Sequence, residues 1–171
     1  MRSPPPLFGA PLAFAWLVAS AFAAMGCSSY ALRPVAQPPV PALGPPRPDV
    51  ATVCLFRPTS LGALLTVPVR DNGQLVGATS AHSYFCWHAE PGRHRISVAG
   101  GTDASDRTLT LAAGERVHLQ HEINIGNDAL RIASEAEAAE YAGECEYNVV
   151  SEAPAEDGPL NPLRVARAQS Q

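Results

Sequence analysis

Five histidines and four cysteines carry most of the chemistry that this 171-residue chain could perform. His88 and His94 flank the turn Glu90-Pro91-Gly92, so a hairpin there would gather two imidazoles and the Glu90 carboxylate as a metal-ligand set. Surface histidines on a half-exposed hairpin are the plainer reading of the same residues. His118 and His121 are three positions apart, which on a strand points them to opposite faces and rules them out as a chelating pair. Cys86 and His88 share a strand face, but no third group is in sight to orient the histidine as a base. The chain has no GxSxG elbow, HExxH helix, phosphate-cradling glycine loop or CxxC pair, so a non-enzymatic protein without a cofactor is expected.

The fourth cysteine, Cys27, speaks of place rather than reaction. Arg2, the apolar run LFGAPLAFAWLVASAFAA and the small residues after it read as an export signal over residues 1–26. Ala24-Met25-Gly26-Cys27 resembles the lipobox of bacterial lipoproteins, whose cysteine is lipidated and becomes the new N-terminus. That resemblance implies a lipid anchor at Cys27 and a cell-envelope address. Ser28 and Ser29 in place of aspartate imply the outer membrane, with the protein facing the periplasm or the surface. Several acyl chains on one cysteine hold a protein firmly, since each buried methylene contributes about 0.8 kcal/mol. Residues 27–49, with seven prolines from Pro34 to Pro48, read as a semi-rigid tether.

After residue 50 the texture changes to short alternating runs: ATVCLFR, ALLTVPVRD, QLVGAT, SYFCWHA, RHRISVAG, RTLTLAA and RVHLQHEIN. Asp71-Asn72-Gly73, Glu90-Pro91-Gly92 and Ala113-Gly114-Glu115 supply tight turns between them. The spacing predicts an all-β domain over 50–150, an antiparallel β-sandwich of about seven strands with a short C-terminal helix. The alternation predicts inward pairs at Val53 and Leu55, Leu65 and Val67, Phe85 and Trp87, Ile96 and Val98, Leu109 and Leu111, and Val117 and Leu119. Pro68 cannot donate to a ladder, which places its strand at an edge or at a bulge. ALRIAS adds a short strand. SEAEAAEYAG is a helix capped by Ser134, with Glu137 completing a capping box and Gly143 as its left-handed exit. Residues 151–171 lack periodicity and read as a disordered tail.

Taken together, VCLFRP, VPVRDNGQLVG, SYFCWHAEPGRHRISV and LTLAAGERVHL resemble the bacterial lipoprotein family catalogued as domain of unknown function 2846. The segment EPGRHRISV is also similar to PEGA-type surface β-sandwich modules. The resemblance spans roughly residues 50–145 and implies a sandwich fold and an extracytoplasmic location, with no catalytic residues to carry over.

The formal charge of −4 leaves no basic footprint for nucleic acid. The acidic residues between Glu135 and Asp157 read as a solvated helix face and tail. The expected partners are the membrane, through the N-terminal lipid, and an envelope protein or glycan. The alternative is a small-ligand or metal-binding module at His88, Glu90 and His94. Export puts Cys54, Cys86 and Cys145 in an oxidising compartment, where at most one bridge forms among three thiols. Cys54 and Cys86 both take outward positions, so they can join if their strands are neighbours in one sheet. A bridge from either to Cys145 is the alternative. Changing Cys27 to Ser is expected to move the protein from the membrane to the soluble periplasmic fraction on cell fractionation. An unmodified Cys27 inside a longer mature N-terminus, seen by mass spectrometry, would contradict the anchor.

Overall fold

The run ATVCLFR carries packing groups on both sides of one strand: Val53, Leu55 and Arg57 on one face, Thr52, Cys54 and Phe56 on the other. In the computed structural model, which describes residues 30–98, 105–124 and 127–153, this run is β2 (Ala51–Arg57), and every residue of it is buried. A strand buried on both faces needs a covering layer on each side. β2 pairs antiparallel with β5 (Ser83–Ala89) and parallel with β8 (Arg116–Asn124). Beyond β5 lie β10 (Glu146–Glu152) and β1 (Ala31–Pro34), and beyond β8 lies β9 (Asn127–Ala133), giving a six-stranded order β1-β10-β5-β2-β8-β9.

A second sheet covers one face. It holds β3 (Val67–Asp71), β4 (Gln74–Thr79), β6 (Gly92–Val98) and β7 (Arg107–Leu111) in the order β4-β3-β6-β7. Asn72 and Gly73 take φ of 50° and 80°, the left-handed pair that a two-residue hairpin between β3 and β4 requires. Val53, Leu55, Phe85, Trp87 and Leu119 pack with Val69, Ile96, Val98, Leu109 and Leu111 in one core. The opposite face of the large sheet is covered by α1 (Glu135–Glu144) and by the proline-rich segment that follows β1. Phe56 stacks on Tyr84 at 5.0 Å and meets His118 and Tyr141 of α1 at 6.0 and 5.9 Å. Val40 and Ala42 are buried there, and the Ala42 carbonyl lies 3.0 Å from His118 Nε2.

The fold is the expected all-β sandwich, with several differences in detail. Among the described residues ten strands form rather than about seven, and the large sheet is mixed rather than antiparallel, because β2–β8 and β10–β5 pair in parallel. Parallel neighbours need a long connection; β3 to β7 lie between β2 and β8, and β6 to α1 lie between β5 and β10. Residues 30–49 are not a spacer held off the domain. β1 pairs with β10, and the prolines after it have no N–H to satisfy, so that stretch lies on the sheet and packs through its valine and alanine side chains. The domain therefore starts by Tyr30 and continues past residue 150 to the end of β10 at Glu152. Leu65 is exposed, since β3 begins only at Val67 and the residues before it form a turn closed by Leu65 N–H donating to Gly62 O at 2.8 Å. Pro68 is not on an edge strand; β6 pairs with β3 only from Val69 onward, and a bulge follows between Val69 and Arg70. The Ser134–Glu137 capping box is present, whereas Gly143 stays helical and Cys145 ends the helix in an extended conformation. The signal segment, Cys27 and residues 154–171 lie outside the described residues.

Gly77 of β4 lies close against the large sheet. A Cβ there would stand 2.3 Å from the Phe85 ring, and the ring is locked in by β4 and by Trp87, whose ring centroid is 5.5 Å away. Gly77→Ala is expected to destabilise the fold by about 1–3 kcal/mol through overpacking. A thermal melt followed by circular dichroism should show a lower midpoint; an unchanged midpoint would mean that Phe85 can move aside freely.

Candidate functional site

The site begins with a local failure of strand pairing. β10 runs beside β5 for only two residue pairs, Glu146 with Ser83 and Tyr147 with Tyr84, and then leaves it to pair with β1 through Asn148, Val149 and Val150. Beyond the split, β5 lacks a ladder partner on that side. The Tyr147 hydroxyl takes over the role: it accepts from Cys86 N–H at 3.3 Å and donates to Cys86 O at 3.2 Å. Burial pushes the Tyr147 phenol up to about 12, so it keeps its proton and can serve both ways. Because the Cys86 backbone groups are spent on Tyr147, they do not bond to Cys54 across the ladder. Cys54 and Cys86 are thus a narrow, non-hydrogen-bonded pair with Cα atoms 4.1 Å apart, and they are joined as a disulfide.

The split opens a cavity of about 380 Å³ between β5, the β1–β10 ribbon and β4. Its walls are Val35, Val40, Val76, Phe85, Trp87 and Val149. Two of the polar side chains that line it are already occupied, and the buried Asn148 amide is a third polar group on the wall. Tyr147 is bound to Cys86, and Trp87 Nε1 donates to Asp71 Oδ2 at 3.1 Å. Asp71 is fully enclosed, and its second oxygen lies 2.7 Å from His94 Nδ1. The other ring nitrogen of His94 lies 2.8 Å from the Glu90 carbonyl. That carbonyl can only accept, so Nε2 donates to it and Nδ1 is the ring nitrogen that faces Asp71. This Trp87–Asp71–His94 chain ties the large sheet to the small one and fixes the indole that forms the cavity wall.

His88, Glu90 and His94 are not brought together. Glu90-Pro91-Gly92 is not a hairpin within one sheet but the crossing from β5 in the large sheet to β6 in the small one. His94 faces the sandwich interior and both its nitrogens are engaged, whereas His88 faces the proline-rich segment, 3.4 Å from Thr52 Oγ1. Burial, assisted by Arg47, pushes His88 below its ordinary value. Among the described residues no group of three His, Cys, Asp or Glu side chains could hold a metal ion. His118 and His121 do point to opposite faces: His118 to Ala42, and His121 to Thr79 Oγ1 at 3.1 Å, where burial also pushes it down. Cys86 has no free thiol. Cys145 does, and it is buried, with burial pushing its thiol up to about 11.

The residues that make the cavity were largely missed by sequence reasoning. Arg33, Val35 and Val40 lie in the stretch read as a tether. The run EYNVV after the helix carries the alternation of Tyr147 and Val149, a strand signal that could have been used. No family model matches the chain, and no curated protein or solved structure matches it. The fold and site define the class: a two-sheet β-sandwich with an apolar cavity at a split between strands.

Tyr147→Phe keeps the ring and removes the hydroxyl, leaving Cys86 N–H and C=O unsatisfied. The expected cost is about 1–3 kcal/mol, read as a lower midpoint in chemical denaturation; no change would mean that water replaces the hydroxyl. Cys145 in the native protein is expected to resist iodoacetamide at neutral pH and to react on unfolding, since its thiolate is scarce and enclosed. Prompt native labelling, mapped by peptide mass, would contradict its burial.

Proposed function

We propose that the chain is a non-enzymatic, lipid-anchored module of the bacterial cell envelope that takes an apolar ligand into the cavity between β5 and β10. The observation that carries this reading is the cavity itself. At about 380 Å³ it lies in the range of small-molecule sites, walled by valine and aromatic side chains. A glycan would need several free hydrogen-bonding groups, and the buried wall offers only the Asn148 amide. The Cys54–Cys86 disulfide supports an oxidising, extracytoplasmic compartment, in keeping with the export signal and Cys27. Tyr30 lies three positions after Cys27, a reach of about 10 Å when extended. An anchor at Cys27 would therefore hold the domain against its bilayer, close to any amphiphile dissolved there. No described helix is long and apolar enough to cross a membrane.

The test uses the full chain in membranes and a photoreactive long-chain alcohol bearing a diazirine on its tail. Peptide mapping is expected to find adducts on Val76, Trp87 or Val149, and Val149→Trp or Val76→Trp, each filling the cavity from a different wall, should abolish them. Adducts spread over the surface, or surviving both variants, would reject the cavity as the binding site.

A further inference from the structure

From the charge at the mouth of this cavity, we propose that the ligand is a single-tailed amphiphile with an anionic head, of the long-chain fatty-acid type, and that Arg33 receives the head. The inference rests on the cavity being the binding site, as argued above, and adds the chemical class of what enters it. Three observations converge. The first is that the walls are largely valine and aromatic side chains, with Trp87 Nε1 engaged by Asp71 and the Tyr147 hydroxyl by Cys86 in both directions, so that Asn148 is the one buried amide side chain left facing the space. Such walls favour hydrocarbon over a polar chain, because a buried polar group without a partner is costly. The second is that polar recognition is left to the rim, where Gln37 and Gln74 are exposed. The third is charge: among the described residues that line the cavity Arg33 is the one charged side chain, and no carboxylate opposes it.

Arg33 is placed by the fold and free to act. It sits on β1 directly opposite Val149 of the cavity wall, its side chain is exposed, and among the described residues it has neither an ion-pair nor a hydrogen-bond partner. A guanidinium at the mouth of an apolar pocket matches a carboxylate in a planar, two-pronged geometry that a neutral hydroxyl cannot reproduce. The neighbouring strap residue Val35 is fixed by its N–H donating to Tyr147 O at 2.9 Å, so the distance from mouth to wall is set by the same tyrosine that holds the split.

The experiment compares two probes of equal tail length and diazirine position, a photoreactive fatty acid and the matching alcohol, on the full chain in membranes. The acid is expected to label Val76, Trp87 or Val149 at concentrations at least tenfold lower than the alcohol. Palmitate should compete and its methyl ester should not. Arg33→Gln should remove the preference of acid over alcohol, and Arg33→Lys should restore part of it. If the acid and the alcohol label the cavity equally, the anionic class is wrong although the cavity still binds; if Arg33→Gln leaves the preference intact, Arg33 is not the residue that receives the head. If neither probe labels the cavity, the binding reading itself falls.

Discussion

Burial of β2 on both faces is the constraint from which the rest of the structure follows. With Val53 and Leu55 on one side and Cys54 and Phe56 on the other, all sequestered, the large sheet cannot leave either surface to water. The four-stranded sheet answers one side. On the other, no second sheet is present among the described residues, and α1 and the proline-rich segment cover it instead. This division explains why a segment with so many prolines is part of the domain. It need not join a ladder to be useful, because its work is to lay Val40 and Ala42 over Phe56, Tyr84 and the disulfide.

The cavity is a consequence of how that cover is attached. β1 pairs with β10 and holds the strap in place, while β10 stays beside β5 for only two residue pairs before the two strands diverge. A split in a sheet would ordinarily leave backbone groups without partners inside the protein. One phenol prevents that at Cys86, and its proton is secured by the same burial that makes the bond necessary. The outcome is a gap walled largely by apolar side chains, beside which the Cys86 backbone groups stay satisfied.

Polar groups inside the sandwich do positional work as well. Asp71 bridges Trp87 and His94, joining β3, β5 and β6 across both sheets. Arg57, wholly enclosed, donates to the carbonyls of Leu61, Gly62 and Leu65 and so fixes the loop between β2 and β3. His94 is thus a structural group, although its type and its place beside a turn make it look like a ligand when only the sequence is considered.

Alternation and turn chemistry made the class of fold legible in the sequence. Apolar pairs such as Phe85 and Trp87 follow from the two-residue period of a strand, and Asn72-Gly73 from the need for positive φ. The capping box of α1 is equally local, being written in Ser134 and Glu137 alone. Which strands are neighbours is a different kind of fact, because it depends on long-range contacts that no local period encodes. Cys54 and Cys86 could be placed on corresponding faces of their strands, but their exact opposition exists only because β2 and β5 pair in that register. Likewise His88 and His94 were separated by a change of sheet at Glu90-Pro91-Gly92, and a turn sequence does not say whether it closes a hairpin or crosses between layers. The sequence by itself determined strands, turns and one helix, since these rest on interactions between near neighbours. Tertiary structure alone decided the split of β10 from β5, the folding of the proline-rich segment onto the sheet and the cavity between them, since these arise from competition among distant segments for the same partners.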